Sequence, residues 1–249
     1  MELGEKIKTM YEIPCRSYLP AGMGGYVIRL DGVNFHNYTK EMKKPFDDLF
    51  MNAMMTTTYN LCQKIPNIHY AYSASDEISL YFYNDGTEPM WQKGRIDKIC
   101  SISASWATYY FNEAMRETCE KLVKWGKAYN TFIDVQDYNS YLGIYLQPVV
   151  FDSRCYCLGP HSEEDRVWRQ NDCTKNSILS LAYNYYSHVD LLGLNTNQIQ
   201  NKLYTEKNVN WNNLEPYYKR GFCVEKWQDG TFKLDKNMPI LKDSYALLI

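Results

Sequence analysis

The feature that most constrains the fold is a pair of apolar segments separated by only four residues. Residues 68–73 and 78–83 are rich in Ile and Tyr, and Ala74-Ser75-Asp76-Glu77 joins them. Two strands with so short a connection pair as an antiparallel hairpin, with Asp76 near its turn. The sequence therefore predicts an antiparallel sheet with carboxylates at one edge.

The segments around this hairpin predict its partners in the sheet. A strand over 26–30 ends in Asp31-Gly32, and another strand is predicted over 147–157. The spacing of apolar residues predicts helices between Pro45 and Pro66 and over about 89–124. The order β-α-β-β-α-β predicts an α+β fold, with a ferredoxin-like four-stranded antiparallel sheet and two helices on one face.

The character of the sequence changes after this unit. We expect residues 1–158 to form one domain and residues 159–249 to form a helical C-terminal appendage packed on it, without a flexible linker. Helices are predicted over 163–186 and 195–207, and a strand or hairpin arm over 218–227. Residues 125–146 are interpreted as an insertion before the last strand of the sheet.

Composition limits the classes of partner and compartment. The formal net charge is −2, so any phosphate-binding surface must be a local patch. The 23 tyrosines suit stacking on bases and equally suit half-buried positions. Eight cysteines without a C-x-x-C pair indicate reduced thiols, and Cys155, Cys157 and His161 fit a strand better than a zinc site. A charged N-terminus and the lack of a run of about 18 apolar residues predict a cytoplasmic protein without a membrane span.

Asp31 and Asp76 are the main candidates for a metal site. Strands one and three are neighbours in the predicted sheet, so Asp31, Asp76 and Glu77 should converge at one edge. Clustered carboxylates repel each other, and two Mg²⁺ ions about 3.5–4 Å apart would neutralise them. The Gly32 carbonyl can approach a metal closely because glycine has no side chain. The alternative is a pair of turn carboxylates that cap local amides.

Two further groups of residues are candidates for phosphate binding. The backbone amides of residues 33–36 follow the Asp-Gly turn and could form an anion-binding nest. Positive charge could come from Lys43 and Lys44, and from Arg95 and Lys98 at helical i, i+3 spacing. For each lysine the alternative is an ordinary solvated side chain.

These segments together resemble the tRNA-histidine guanylyltransferases and their relatives, the 3′→5′ polymerases. Residues 27–36 (V-I-R-L-D-G-V-N-F-H) are similar to the family's first metal motif, a strand ending in R-[IL]-D-G-x-x-F-H. Residues 44–47 and 72–77 resemble its K-P-x-D and Y-x-x-S-D-E motifs. F-D-S-R at 151–154 and W-R-Q-N-D at 168–172 match F-D-x-R and W-R-Q-x-D. The matches occur in order from about residue 26 to residue 225.

The resemblance implies a polymerase-like palm, nucleotidyl transfer and a homotetramer built as a dimer of dimers. It implies two Mg²⁺ ions held by Asp31, Asp76 and the Gly32 carbonyl, with Ser75 and Glu77 supporting the chemistry. The substrates would be tRNA and nucleoside triphosphates, with ATP activating the tRNA 5′ end and GTP or another triphosphate being added. One triphosphate would bind Val33, Asn34, Phe35, His36, Lys44 and Asp47, and the activating triphosphate would bind Arg95 and Lys98.

The RNA is the least defined substrate. Residues that could contact tRNA phosphates, unless they pair with the acidic run 163–165, are Arg154, Arg169, Lys175, Asn176, Lys219 and Arg220. Residues 173–180 lack the H-I-N-x-x-L-Y-N motif of the eukaryotic enzymes and look like the bacterial and archaeal relatives, which repair 5′-truncated tRNAs on a template. Non-templated guanylylation of tRNA-histidine is the alternative within the class. A nucleotide cyclase on the same palm and an inactive RNA-binding module are the alternatives outside it.

Overall fold

The computed structural model describes residues 5, 8–13, 16–20, 24–84, 89–129, 143, 145–158 and 162–241. Six strands form one sheet in the order β4-β1-β3-β2-β5-β6, and every neighbouring pair is antiparallel. The strands are β1 Gly24–Gly32, β2 Tyr70–Ala74, β3 Glu77–Asn84, β4 Phe151–Cys157, β5 Phe222–Lys226 and β6 Phe232–Asp235.

The helices of the described residues cover both faces of this sheet. They are α1 Phe35–Tyr38, α2 Asp48–Lys64, α3 Ile96–Tyr129, α4 Ser162–Tyr183, α5 His188–Leu191, α6 Thr196–Lys207 and α7 Pro216–Arg220. Short 3₁₀ turns occur at Trp91–Gly94 and Trp211–Asn213. None of these helices is long and apolar enough to cross a membrane.

The predicted hairpin and the predicted neighbours of its strands are confirmed. Strands β2 and β3 pair up to Ala74 opposite Glu77, so the turn consists of Ser75 and Asp76. Ser75 has a φ of 55°, a left-handed conformation that a two-residue turn requires. Strand β1 lies between β3 and β4, as the β-α-β-β-α-β order predicts.

The sheet of the described residues has six strands, two more than the four predicted. Strands β5 and β6 extend the sheet beyond β2, with Val224 opposite Ala71 and Leu234 opposite Val224. The free edge of β2 is thereby covered, which removes a row of unpaired backbone groups. The strand or hairpin arm predicted over 218–227 is confirmed as β5, whereas β6 was not predicted. The boundary between two domains stays a prediction.

Helices α2 and α3 pack on one face of the sheet. Ile28, Leu30, Ile78 and Leu80 point into a core that includes Phe111 of α3 and are all fully buried. Because strand side chains alternate, residues at the intervening positions point to the opposite face.

Helix α4 covers that opposite face. The Tyr81 hydroxyl donates to Asp165 Oδ2 at 2.7 Å, and the Arg166 guanidinium lies 4.6 Å from the centre of the Tyr70 ring. Asp31 is four residues after Val27 on β1, so both side chains point to the face that α4 covers.

The end of α4 and the following helices form a second, smaller core. Ile178, Leu181, Ile199, Leu203 and Trp211 make up most of it. The Trp211 indole N–H donates to Ser177 Oγ at 3.0 Å, which satisfies both buried groups. This core fixes the C-terminal half of α4 beside the sheet edge that carries the carboxylates.

The predicted insertion falls only partly within the described residues. Helix α3 continues to Tyr129, five residues beyond its predicted end. Residues 130–142 and 144 lie outside the described residues. Cys155 and Cys157 lie on β4 as free thiols, as the strand interpretation predicts, and His161 lies outside the described residues.

Candidate functional site

The acidic residues of the two strand-end motifs lie together. Asp31 is the cross-strand partner of Glu77. The Gly32 amide donates to the backbone carbonyl of Asp76 at 3.2 Å, which ties the end of β1 to the turn of the hairpin. Ser75 Oγ lies 3.0 Å from Asp76 Oδ1 and donates to it. The structure thus brings Asp31, Ser75, Asp76 and Glu77 to one edge of the sheet.

Asp76 is held in an environment that disfavours its charge. Burial raises the pKa of the Asp76 carboxyl, and the negative charges of Asp31 and Glu77 raise it further, while hydrogen bonds from its own amide and from Ser75 lower it. Within the described part of the chain, Asp76 has no ion-pair partner. A cation at this carboxylate would relieve an electrostatic cost that the fold leaves uncompensated.

Arginines neutralise the other two carboxylates. Arg29 forms an ion pair with Glu77, and its Nη2 atom lies 3.9 Å from Asp31 Oδ2. Arg169 of α4 approaches Glu77 Oε2 to 3.4 Å. Arg154 lies directly opposite Arg29 on β4, and its Nη2 atom is also 3.9 Å from Asp31 Oδ2. Glu77 is therefore bracketed by two arginines and points toward α4.

The donor atoms fit a hard divalent cation that also binds substrate phosphates. The described residues contain no group of three or more His, Cys, Asp or Glu side chains that could hold a metal alone. Mg²⁺ is commonly bound by one or two carboxylates, with phosphates and water completing its octahedron. Asp31 and Asp76 could supply the carboxylates and the Gly32 carbonyl a further oxygen.

Gly32 is also required by packing. A Cβ atom at this position would lie 2.3 Å from Cδ2 of Phe35, whose ring is buried against Phe50, Phe111 and Phe151. The ring cannot move without disturbing this aromatic cluster. Close approach of α1 to the strand end therefore excludes any side chain at residue 32.

A pocket of about 540 Å³ opens beside the carboxylates. The segment between α1 and α2, the β2–β3 turn, α4 and α7 form its walls, and Ser75, Asp76 and Glu77 lie on one side of it. An aromatic wall stands on the other side, where the Phe46 and Tyr218 rings stack with their centroids 4.6 Å apart. The volume is within the range of small-molecule sites, about 300–1,000 Å³.

The predicted triphosphate-binding segment only partly reaches this pocket. Phe35, His36 and Lys44 line it, and Lys44 Nζ donates to the Thr39 carbonyl at 2.7 Å. The Val33 amide is already used, because it donates to the Val150 carbonyl at 2.9 Å. Asn34 adopts a left-handed conformation with φ 61°, and neither it nor Val33 is part of the pocket wall.

Asp47 lines the pocket but acts as the N-cap of α2. Its Oδ1 atom accepts from the amides of Leu49 and Phe50 at 2.9 and 3.0 Å. Its Oδ2 atom accepts from the Lys43 amide at 3.1 Å and from the Tyr145 hydroxyl. Four donors leave this carboxylate little capacity for a ligand, so the structure assigns Asp47 to the cap and not to the predicted triphosphate site.

Arg95 and Lys98 are not near the carboxylates. They lie at the start of α3, which begins beside the first residues of β1 and runs antiparallel to β4 until Phe111 meets Phe151. The 15 helical steps from Ile96 to Phe111 span roughly 22 Å. Arg95 pairs locally with Asp97, and Lys98 is exposed. The structure therefore places both cations at the opposite end of the sheet from Asp31.

Comparison with known proteins identifies the chain. The family model described as Thg1, tRNAHis guanylyltransferase, matches residues 7–159. The chain belongs to the Thg1 family. Because tRNA(His) guanylyltransferases of this family are nucleotidyltransferases, it is an enzyme of that class.

Solved structures of Thg1 relatives share the whole fold. A bacterial tRNA(His) guanylyltransferase-like protein in complex with ATP is 34% identical with a TM-score of 0.81, over 98% of this chain and 97% of that one. Another such bacterial structure, in complex with GTP, is 29% identical with a TM-score of 0.73, over 99% and 97%. A probable tRNA(His) guanylyltransferase of Dictyostelium discoideum is 24% identical over 80% of this chain and 74% of its own length. A human relative is 25% identical over 81% of this chain and 64% of its own.

The residues predicted to contact tRNA in this Thg1 chain divide into two sets. Arg154, Lys175 and Asn176 are exposed, and Asn176 lines the pocket. Arg169 is buried on Glu77. Two further cations serve the fold: Lys219 Nζ is buried and donates to the Asn212 carbonyl at 2.6 Å, and Arg220 Nε donates to the Met238 carbonyl at 3.1 Å.

Two features of the Thg1 site were missed by the sequence analysis. Arg29 is two residues before Asp31 and therefore points to the same face of β1, a placement that strand alternation could have revealed. The stack of Phe46 on Tyr218 joins residues 172 positions apart, and no local pattern indicates it. Burial also lowers the pKa of Lys219, an effect that depends on the packing of α7.

Proposed function

We propose that this Thg1-family enzyme adds nucleotides in the 3′→5′ direction to tRNA 5′ ends, chiefly as template-directed repair of 5′-truncated tRNA. The observation that carries the proposal is the meeting of Asp31 and Asp76 beside a pocket of nucleotide size. Likeness to bacterial Thg1-like proteins, two of which are complexes with ATP and GTP, supports nucleoside triphosphates as substrates. The β-α-β-β-α-β order of the first four strands supports a polymerase-like palm.

The reaction would proceed in two nucleotidyl transfers. A 5′-phosphate oxygen of the RNA attacks the α-phosphorus of ATP, and pyrophosphate leaves. The 3′-hydroxyl of the incoming nucleotide then attacks the activated 5′-phosphorus, loses its proton and releases AMP. Two Mg²⁺ ions, when bound, stabilise the charge on attacking and leaving oxygens.

The side chains at the sheet edge would hold the reacting groups. Asp31, Asp76 and the Gly32 carbonyl would bind the metal, and Ser75 fixes the Asp76 carboxylate through its hydrogen bond. Glu77 would hold Arg29 and Arg169 in place through its ion pairs, so that their positive charges face the phosphates. The Asp76 carboxylate would then stay available to the metal. Phe35, His36 and Lys44 would contact the triphosphate from the opposite wall of the pocket.

Arg95 and Lys98 could bind a reacting triphosphate only at the site of another copy of the chain. They lie too far from Asp31 of the same chain to bind a triphosphate there. We propose a homotetramer, a dimer of dimers, in which these cations reach phosphates bound to another copy. The molar mass in solution, measured by light scattering, tests the assembly: a monomer would remove Arg95 and Lys98 from the proposed site.

A nucleotide-addition assay tests the function. The protein is incubated with several tRNAs shortened by one 5′ nucleotide, with ATP and Mg²⁺, and each other triphosphate supplied alone. Template-directed repair predicts that every tRNA accepts the nucleotide complementary to its opposing base. Addition of GTP to tRNA-histidine alone would instead establish non-templated guanylylation. Formation of a cyclic nucleotide without RNA would establish a cyclase.

A matched pair of variants tests the assignment of Asp76. Asp76→Ala should abolish addition at every Mg²⁺ concentration. Asp229→Ala removes a carboxylate from a different turn, where it bonds only to Thr231 among the described residues, and should leave addition unchanged. Activity retained in Asp76→Ala would overturn the metal assignment.

A further inference from the structure

An exposed tryptophan lies beside the carboxylate edge. Trp168 of α4 is 55% exposed, and among the described residues only Trp227 is a comparably exposed tryptophan, at 52%. A large apolar ring left in water costs free energy unless a partner covers it. Trp168 is not part of the pocket wall, although its neighbour Arg169 is. The exposed indole therefore lies outside the nucleotide-sized pocket.

Arg169, which reaches the carboxylate edge, holds the Trp168 ring in place. The Arg169 guanidinium carbon lies 4.0 Å from the centre of the indole, in cation–π contact. Arg169 is itself only 7% exposed, and the Nη1 atom of the same guanidinium lies 3.4 Å from Oε2 of Glu77, the cross-strand partner of Asp31. A planar cation held in this way backs one face of the ring. Two contacts thus link the indole to Glu77, which pairs across the strands with the predicted metal ligand Asp31.

Positive charge lies on the same side of the sheet. Tyr156, on the face of β4 that carries Arg154, bonds to Asp165 three residues before Trp168. The Arg154 side chain is 58% exposed, and Arg29 lies directly opposite it on β1. Arg29 is paired with Glu77. Arg154, in contrast, lies 3.6 Å from Asp152 in an exposed pair that water screens, so the Arg154 guanidinium can exchange this partner for a phosphate. An aromatic ring with flanking arginines is the combination that binds unpaired nucleotides.

We propose that Trp168 stacks on the terminal base at the 5′ end of the RNA acceptor, and that Arg154 binds the adjoining phosphate. This inference rests on the proposed function, because it requires an RNA end at the carboxylates. Stacking would stop the RNA at a fixed distance from Asp31 and bring its 5′-phosphate to the pocket. Trp168 is thus a positioning residue that contacts the RNA away from the reacting atoms.

The test measures RNA affinity and base stacking separately. The probe is a hairpin RNA with a recessed 5′-monophosphate end and 2-aminopurine as its terminal base. Loss of base–aromatic stacking should weaken RNA binding about 5- to 150-fold in Trp168→Ala. Trp168→Phe keeps a ring and should stay within about threefold of the wild type. The 2-aminopurine fluorescence should be quenched by the wild type and by Trp168→Phe, and not by Trp168→Ala.

Trp227→Ala is the matched control. Trp227 is similarly exposed and also lies under a cation, with Lys233 Nζ 3.2 Å from its ring centre, but it follows β5 on the far side of the sheet. RNA affinity and quenching should be unchanged in this variant. ATP affinity should be unchanged in all three variants, since none of the replaced side chains lines the pocket.

The outcomes separate the inference from the function on which it rests. A wild type that neither binds the RNA nor extends it would overturn the proposed function and the stacking together. Extension with full quenching in Trp168→Ala would overturn the stacking alone. If Trp168→Ala keeps its RNA affinity but changes the molar mass of the protein in solution, the stacking is also overturned. Trp168 would then be assigned to a contact between copies of the chain.

Discussion

Replacing Asp47 separates the structural role of its carboxylate from a role in ligand binding. Asp47→Ala removes the cap from α2, which costs about 1 kcal/mol. It also removes the hydrogen bonds from the Lys43 amide and the Tyr145 hydroxyl to the charged carboxylate, at about 1–3 kcal/mol. We expect a total loss of roughly 2–4 kcal/mol in the free energy of unfolding. For a chain of this length that corresponds to a fall in Tm of roughly 4–15 °C.

Thermal unfolding followed by circular dichroism, with urea unfolding for the free energy, measures this loss. Asp47→Asn keeps an oxygen for the Leu49 and Phe50 amides but replaces the Oδ2 acceptor, so its Tm should fall by about half as much. Glu117→Ala is the control, because its exposed ion pair with Lys121 is worth about 0–1 kcal/mol.

The pattern of Tm and ATP affinity decides between the two roles. A capping role predicts that Asp47→Asn binds ATP nearly as well as the wild type below its Tm. If Asp47→Ala unfolds within 2 °C of the wild type and yet loses ATP affinity, the carboxylate is a ligand group and the reasoning from its four donors is wrong.

Three further changes test other parts of the structure. Asp76→Asn should be inactive but should unfold at a higher Tm than the wild type at pH 7. Because the folded-state pKa of Asp76 is raised, the contribution of this carboxyl group to stability falls as the pH rises through that pKa. The difference in Tm between the variant and the wild type should therefore vanish at acid pH. Gly32→Ala should lose about 1–3 kcal/mol on urea unfolding, since its Cβ meets the Phe35 ring, and an unchanged stability would contradict that contact. Lys219→Met should keep the RNA affinity of the wild type in the hairpin-RNA assay, because its ammonium is bonded to the Asn212 carbonyl; a tenfold loss would place Lys219 on the RNA.

The carboxylate edge could be predicted from the sequence because it depends on local chemistry. A four-residue connection leaves only a hairpin, and the turn at Ser75 and Asp76 follows from it. The order of elements then predicts that β1 and β3 are adjacent in the sheet, and this adjacency brings Asp31 and Asp76 together. Each step uses residues within one element or a short connection.

The residues whose placement was missed depend on contacts distant in the chain. Lys219 resembles a surface cation in sequence, but α7 folds against residue 212 and buries it. The predicted helical pairing of Arg95 with Lys98 is wrong, because Arg95 is extended and precedes Ile96, the first residue of α3. Helical spacing also carries no information about which end of the sheet that helix begins at. The extension of the sheet by β5 likewise requires a free edge on β2, which only the assembled topology reveals.

The pairing of β5 with β2 makes the Ser75–Asp76 turn dependent on a strand near the end of the chain. Ser73, two residues before the Ser75–Asp76 turn, pairs with Phe222, and the Tyr72 hydroxyl donates to the carbonyl of Arg220, 148 residues away. During synthesis, β2 and β3 leave the ribosome long before the strand that supports them. Closing so long a loop is slow, so the strand edge next to Asp76 stays open until late in folding. Nucleotide binding before the last strands are made is therefore not expected, and a chain truncated before residue 222 would leave an aggregation-prone edge in place of a working site.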